Sequence, residues 1–403
     1  MRILQVHNVY QQAGGEDAVV AAERRILTEA GHEVVSYTVS NEAIVSVVDR
    51  LRTAWNVAWS AEQHAAVTRT LADAQPDMVH VHNTFPTITP AVFDACRRVG
   101  VPVVTTLHNY RFVCAAATLM RNNRTCELCL QRSPYWGAVY GCYRGSRLGS
   151  LAVAYGIVHH RRAGTWRHKV DRFIVLTEFQ KQKMTGAGLP AGCIAVKPNF
   201  LADPPPAPPL DAPRHGALFV GRLSPEKGVN LLLEAWREID YPLRVVGDGP
   251  LEQELRTQAP AQVEFLGARP RRDVLAAMRQ AAFLVMPSLW YEGLPMTLVE
   301  AYASDLPVVT SRLGALAELV EDGVTGHTFP PSDAAGLRHA VRTAIERPVP
   351  RGGCRRAFDE RYAPAANLAM LEAIYAAAAG ERCGAPARIR PNSRPVSDAQ
   401  NTR

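Results

Sequence analysis

The feature that most constrains this chain is a rhythm that occurs twice. Short β-branched runs alternate with longer amphipathic segments, the pattern of strand-helix-strand units in a parallel sheet. In the first half, Ile3 to His7, Glu33 to Thr38, Asp77 to His82, Val101 to His108 and Arg172 to Leu176 read as buried strands, and Asp17 to Ala30 reads as a crossover helix closed by Gly31. In the second half, Ala217 to Val220, Leu243 to Val246, Val263 to Leu266, Phe283 to Met286 and Pro307 to Thr310 repeat the pattern, with helices such as Asn230 to Glu238 and Arg271 to Gln280 between them. The fold class is therefore α/β, with two sheets.

Between the halves, Ala202 to Gly216 holds six prolines, which deny ladder hydrogen bonds and favour an extended, semi-rigid chain. The expected division is a first domain over 1–201 with a cysteine-containing insertion over about 110–147, a Pro-rich linker over 202–215, and a second domain over 216–363. A C-terminal helix over 364–380 follows the Tyr362-Ala-Pro364 break and is available to pack back on the first domain. The Pro-, Arg-, Ser- and Asn-rich stretch 381–403 is expected to be a disordered tail. Two such sheets facing one another point strand C-termini and helix N-termini into the cleft between them, the usual binding place in open α/β sheets.

At 403 residues with 47% hydrophobic and 21% charged content, the chain has ample core and is too apolar to be mostly disordered. Its net charge of +7 favours phosphates or an anionic membrane face, although a generally basic surface accounts for it equally. No window approaches the roughly 20 apolar residues of a membrane span, and Met1 to Asn8 enters a strand directly without a secretory signal. The expected location is cytoplasmic, with the inner face of the plasma membrane as a working place. In a reducing compartment most of the eight cysteines would be thiols or metal ligands.

Gly221-Arg-Leu-Ser-Pro-Glu-Lys-Gly228 follows a strand and precedes a helix, so Arg222 and Lys227 sit at the mouth of the expected cleft, where a planar fork and a compact charge can hold a diphosphate. A solvated turn with incidental cations is the alternative. Ser288-Leu-Trp-Tyr-Glu-Gly-Leu-Pro-Met-Thr-Leu-Val-Glu300 then places Glu292 and Glu300, with seven residues between them, around Gly293 and the start of a helix near Pro295 to Thr297. Gly293 permits close backbone approach, and the free N–H groups of the helix start suit an anion. Glu292 is free to accept sugar hydroxyls, and Glu300 those of a ribose. Thr297 to Glu300 also matches a capping box, in which case Glu300 merely stabilises its own helix.

These two motifs, followed by Leu306-Pro-Val-Val-Thr310 and Glu318-Leu-Val-Glu-Asp-Gly-Val-Thr-Gly326, resemble the donor domain of the retaining glycosyltransferases of family 4 (glycosyl transferases group 1), which have the GT-B fold of two Rossmann-like domains facing across a cleft. The resemblance covers residues 1 to 380 by architecture and is strongest over 216 to 330. It implies that 1–201 is an acceptor domain and 216–363 a nucleotide-sugar donor domain. Arg222 and Lys227 would hold the donor diphosphate, Glu292 the hydroxyls of the transferred sugar, and Glu300 the ribose. The segment Gly293, Leu294, Pro295, Met296, Thr297 and Leu298 would complete the phosphate contact through its backbone amides, Pro295 itself having no N–H to give. Gly14 and Gly15 match the family's glycine loop, and His108, at a strand C-terminus, matches a histidine beside the transferred sugar and leaving phosphate. His82 and Asn83 are weaker candidates for the acceptor side.

The reaction implied is glycosyl transfer from a nucleotide-diphosphate sugar to a hydroxyl of a saccharide or lipid-linked saccharide, with retention at the anomeric carbon. Two side-chain cations and a helix start would neutralise the leaving diphosphate. There is no Asp-x-Asp motif, so no catalytic metal is expected. With no carboxylate nucleophile identified on the opposite sugar face, front-face attack through an oxocarbenium-like ion pair is the expected mechanism.

Cys114, Cys126, Cys129 and Cys142 form a further cluster, a CxxC knuckle flanked at separations of twelve and thirteen. Four thiolates can hold a structural zinc; free thiols and a redox disulfide are the alternatives. The basic, aromatic stretch His159-His-Arg-Arg162 with Trp166-Arg-His-Lys169 suits anionic lipid headgroups or a solvated helix face. Two other functions share part of this pattern: a nucleotide-sugar epimerase on the same fold, and a zinc-stabilised nucleic-acid-binding protein. The Glu292 and Glu300 pattern favours transfer over epimerisation. The nucleic-acid reading leaves the cleft motifs unexplained, so no nucleic-acid partner is expected.

Overall fold

The computed structural model describes residues 1–9 and 15–380. The first half builds a six-stranded parallel sheet from β1 (Arg2–Val9), β2 (Glu33–Ser40), β3 (Met78–Asn83), β4 (Val103–Leu107), β5 (Arg172–Val175) and β6 (Ile194–Val196), in the order β2-β1-β3-β4-β5-β6. The second half builds another from β7 (Ala217–Val220), β8 (Leu243–Val246), β9 (Val263–Gly267), β10 (Phe283–Met286), β11 (Val308–Ser311) and β12 (Gly326–Phe329), in the order β9-β8-β7-β10-β11-β12. Both orders reverse direction beside the first strand of their sheet, which opens the crevice at strand C-termini where ligands gather in such folds.

The strands read as near-continuous apolar runs because helices cover both faces of each sheet. β3, β4, β10 and β11 are buried almost throughout. Helix α1 (Gly15–Glu29) buries Val19, Val20, Ile26 and Leu27 against the first sheet. Further helices used below are α2 (Val47–Asn56), α3 (Arg147–Arg162), α4 (Glu178–Gly186), α5 (Met296–Ala303) and α6 (Pro364–Gly380).

α6 crosses from the second half to the first, where Leu371, Ile374, Tyr375 and Ala378 pack with Ile3, Leu27, Met78, Val104 and Ile174. The proline-rich segment contains no helix or strand. It is nevertheless anchored, because arginines from both halves bind its polar groups: Arg25 pairs with Asp203 at 2.7 Å, Arg355 donates to Pro205 O at 2.9 Å, and Arg279 donates to Pro206 O at 2.9 Å.

The two halves touch along the strand ends. The Glu318 carboxylate accepts the N–H groups of Glu178 (2.8 Å) and Phe179 (2.7 Å), the first turn of α4, where a helix start favours negative charge. The Phe179 and Tyr291 rings meet at 4.8 Å, and the Tyr291 hydroxyl donates to Glu127 at 2.8 Å.

Candidate functional site

The second half supplies a compact charged cluster. After β7 the chain makes a short 3-10 turn, Pro225–Lys227, ended by Gly228 at φ +69. A Cβ on Gly228 would stand 1.9 Å from the carbonyl oxygen of Pro287, so only glycine lets the turn press against the end of β10. That contact brings Lys227 to Glu292: Nζ donates to Oε1 at 2.7 Å, and the Ser288 hydroxyl donates to the same oxygen at 2.8 Å. Glu292 is buried, and Lys227 stands 5.4 Å over the Trp290 ring. Arg222 is exposed, and its guanidinium pairs with no carboxylate among the described residues.

Beyond Glu292, Leu294 and Leu298 turn their side chains into the core, and the Leu298 N–H already donates to Pro295 O at 3.0 Å. α5 starts after Pro295, and no side chain caps it. The capping-box reading of Thr297 and Glu300 is therefore corrected: the helix begins earlier than that motif requires, and Glu300 falls beyond the positions where it could cap. The Glu300 carboxyl instead accepts from Arg271 Nε at 3.2 Å; burial raises its pKa, against the pull of Arg271.

Across the cleft stands His108, directly after β4. A Cβ built on Gly293 would lie 3.4 Å from the His108 carbonyl oxygen, so the Glu292-Gly293 turn and His108 abut. His108 Nε2 is 3.1 Å from His82 Nδ1, the rings stacking at 5.4 Å. Burial is the main cause that pushes the His108 pKa down to about 4, opposed by Glu23, so the imidazole is neutral at ordinary pH. His82 is itself buried between His80 and His108, which places it behind the cleft wall. Asn83 is engaged at both ends, donating to Asn8 O at 2.8 Å and accepting from Phe85 N at 2.9 Å. Gly15 opens α1 and is exposed; Gly14 lies outside the described residues.

Behind the histidines lies a polar core that sequence reasoning missed. Glu23 of α1 is fully buried and pairs with Lys197 Nζ at 2.7 Å, and that ammonium also donates to Asn367 Oδ1 of α6 at 2.9 Å. Burial alone would raise the Glu23 carboxyl, but Lys197 and then His82 outweigh it and hold the pKa below the usual range. His80 bonds to the Tyr375 hydroxyl and to Thr106, each at 2.8 Å. Ligand atoms of Glu23, His80 and His82 all fall within 4.8 Å of one another, a spacing a metal could use. The Lys197 ammonium already supplies the positive charge there. One signal was legible: Glu23 lies at helical spacing among Val19, Val20 and Leu27, an acid on an apolar face. Its partner, far along the chain, was not.

In the insertion, Cys114 and Cys129 are buried and Cys126 and Cys142 half-buried, all as free thiols. Burial, then the neighbouring Cys114 and Cys142, push the Cys129 thiol up to about 12. Among the described residues no three of these sulfurs come within 4.8 Å of one another. The knuckle between Cys126 and Cys129 carries Glu127, which accepts from Lys183 at 2.5 Å and from Tyr291, the neighbour of Glu292.

Comparison with known proteins follows this division. Residues 13–202 match the family model described as Glycosyltransferase Family 4, and residues 214–347 match that of Glycosyl transferases group 1. The chain is 35% identical over 151 residues to a D-rhamnosyltransferase, WbpZ, of Pseudomonas aeruginosa, a match covering 36% of this chain and 40% of that one. It is 38% identical over 150 residues to a phosphatidyl-myo-inositol mannosyltransferase of Mycobacterium leprae, covering 34% and 40%. The match thus spans less than half the length of these curated relatives. In fold, it resembles Anabaena HepE solved with UDP (TM-score 0.63, 18% identity, 93% and 100% covered). It also resembles the sucrose-phosphate synthase of Thermosynechococcus elongatus (TM-score 0.65, 17% identity, 93% and 98% covered).

Proposed function

Because the chain belongs to the family 4, group 1 glycosyltransferases and has their two-sheet GT-B architecture, we propose that it transfers a glycosyl unit from a nucleotide-diphosphate sugar to a hydroxyl acceptor, with retention and without a catalytic metal. The product would be a cell-surface polysaccharide or glycolipid, made at the cytoplasmic face of the membrane. The observation that carries this reading is the abutment of two groups across the cleft: Lys227, Ser288 and Glu292 beside the uncapped start of α5, and His108 against Gly293. A neighbour of the same fold bound to UDP, and relatives named as rhamnosyl- and mannosyltransferases, support a nucleotide-sugar donor.

The roles follow from charge. On donor binding, Lys227 exchanges Glu292 for a diphosphate oxygen, joined by the Arg222 fork and the N–H groups opening α5. These groups hold the negative charge that grows as the glycosidic bond breaks. Glu292, still held by Ser288, accepts hydroxyls of the transferred sugar, and Glu300 those of the ribose. His108, neutral and packed against His82, lines the sugar side without adding a charge that would compete with the oxocarbenium-like ion pair. The acceptor hydroxyl attacks from the face the diphosphate leaves, and its proton passes to that leaving group. We also propose that Cys114, Cys126, Cys129 and Cys142 hold a structural zinc, which would draw the neighbouring sulfurs into a tetrahedral set. Stoichiometric zinc, lost in the Cys126→Ser, Cys129→Ser variant, supports this, and its absence rejects it.

The test of the reaction is a panel of nucleotide sugars screened for thermal stabilisation, then donor turnover by NMR with the anomeric configuration of the product assigned. One stabilising donor and a product of retained configuration are expected. An inverted product rejects the mechanism, and a panel with no binder rejects the function.

A further inference from the structure

We propose that α2 and the outer face of α3 form a docking surface for an anionic phospholipid bilayer. α2 is capped by a complete Ser46–Asp49 capping box, so it is a well-formed helix, yet it buries none of its residues. Val47, Val48, Leu51 and Trp55 recur at helical spacing and are 69%, 72%, 66% and 88% exposed. On α3, Leu148, Leu151 and Tyr155 make a second exposed stripe, with Leu148 79% exposed.

The two helices that carry these stripes meet. A Cβ on Gly156 of α3 would lie 3.8 Å from Val57, directly after α2, and His160 Nε2 donates to the Ala58 carbonyl at 2.6 Å. Soluble chains rarely leave so many large apolar side chains together in water. Among the described residues no helix is long and apolar enough to cross a membrane, so the surface would lie on a bilayer rather than span it.

Charge selects the occupant. From Leu128 to Val170 the chain has no acidic residue. Arg144 and Arg147 stand exposed where α3 begins, and Arg161 and Arg162 where it ends. A cationic rim around an apolar stripe complements anionic headgroups above acyl chains. A second copy of the chain would bring the same arginines face to face, a like-charge contact. A crevice lined by Val57, Thr84, Phe85, Ile157 and Trp166 runs from the junction of the two helices to the loop after β3, next to Asn83. A lipid-linked acceptor entering there would arrive at the expected acceptor end. That link rests on the functional reading above; bilayer binding does not.

The experiment is flotation of the full chain with phosphatidylcholine vesicles, with and without phosphatidylglycerol. Binding to the anionic vesicles is expected at least about tenfold tighter than to the neutral ones. It should weaken by about tenfold or more in Leu51→Ser with Trp55→Ser, and separately in Leu148→Ser, with thermal unfolding and nucleotide binding unchanged. Equal binding to both vesicle types, or variants that bind like the parent, would overturn the proposal. So would sedimentation showing a dimer that these substitutions dissolve, which assigns the surface to a second copy.

Discussion

The Lys227 ammonium and the Glu292 carboxylate stand 2.7 Å apart, one on the turn after β7 and the other on the turn after β10, with the Ser288 hydroxyl on the same carboxylate oxygen. The pair is partly open to solvent on the lysine side and closed on the glutamate side. A cation held this way keeps its position without a ligand and, in the proposed reaction, has a partner to exchange for a phosphate. Removing Ser288 tests that positioning. Ser288→Ala should raise KM for the donor several-fold while leaving thermal stability nearly unchanged, since one hydrogen bond contributes about 1 kcal/mol.

The buried Glu23–Lys197 pair ties α1, the segment after β6 and α6 together beneath the histidines. Lys197→Met leaves a buried carboxylate without its counter-ion and should cost about 3–5 kcal/mol in urea unfolding. The double variant Glu23→Gln, Lys197→Met should recover much of that loss. Equal losses in the single and double variants would mean the pair carries no coupling.

Acid should destabilise the protein through histidines kept neutral by burial. His160 donates from Nε2 to Ala58 O at 2.6 Å and is pushed down to about 4 by burial, as is His108. A histidine whose folded pKa lies below its unfolded value binds more protons when unfolded. Stability therefore falls as pH drops from about 6.5 towards 4, by about 1.4 kcal/mol per pH unit for each such group. In His160→Gln the slope of unfolding free energy against pH over that window should lessen by about one group's share.

Glu318 holds the halves together at the start of α4. Glu318→Ala removes both acceptors and should cost about 1 kcal/mol. Because the contact crosses the cleft, its loss should also enlarge the radius of gyration in small-angle scattering and raise the ratio of donor hydrolysis to transfer, as water enters a less closed site.

Most of the architecture was legible because parallel strands buried on both faces carry dense apolar runs; Phe283–Met286 and Ala217–Val220 fall where their residues predicted. Two edge strands were not read. Ile194–Val196 is three residues long, and Gly326–Phe329 mixes glycine, histidine and threonine, so neither has a distinctive run. The strand expected from Val101 begins at Val103, after Pro102, which cannot donate to the ladder. The cleft motifs were local and readable. The stack of His82 on His108 is not: it arises from β3 and β4 pairing with Val81 opposite Thr105, a register that only the folded sheet sets. Likewise Glu127 reaches Tyr291 through tertiary packing that no spacing announces.

The most direct measurement of the central claim is calorimetric titration of UDP, GDP, ADP and dTDP into the full chain and into Arg222→Ala and Lys227→Ala. One nucleoside diphosphate should bind, and each substitution should weaken it by about tenfold or more, the loss expected for a charge-assisted contact. Parent-like affinity in both variants would place the diphosphate elsewhere and contradict the account.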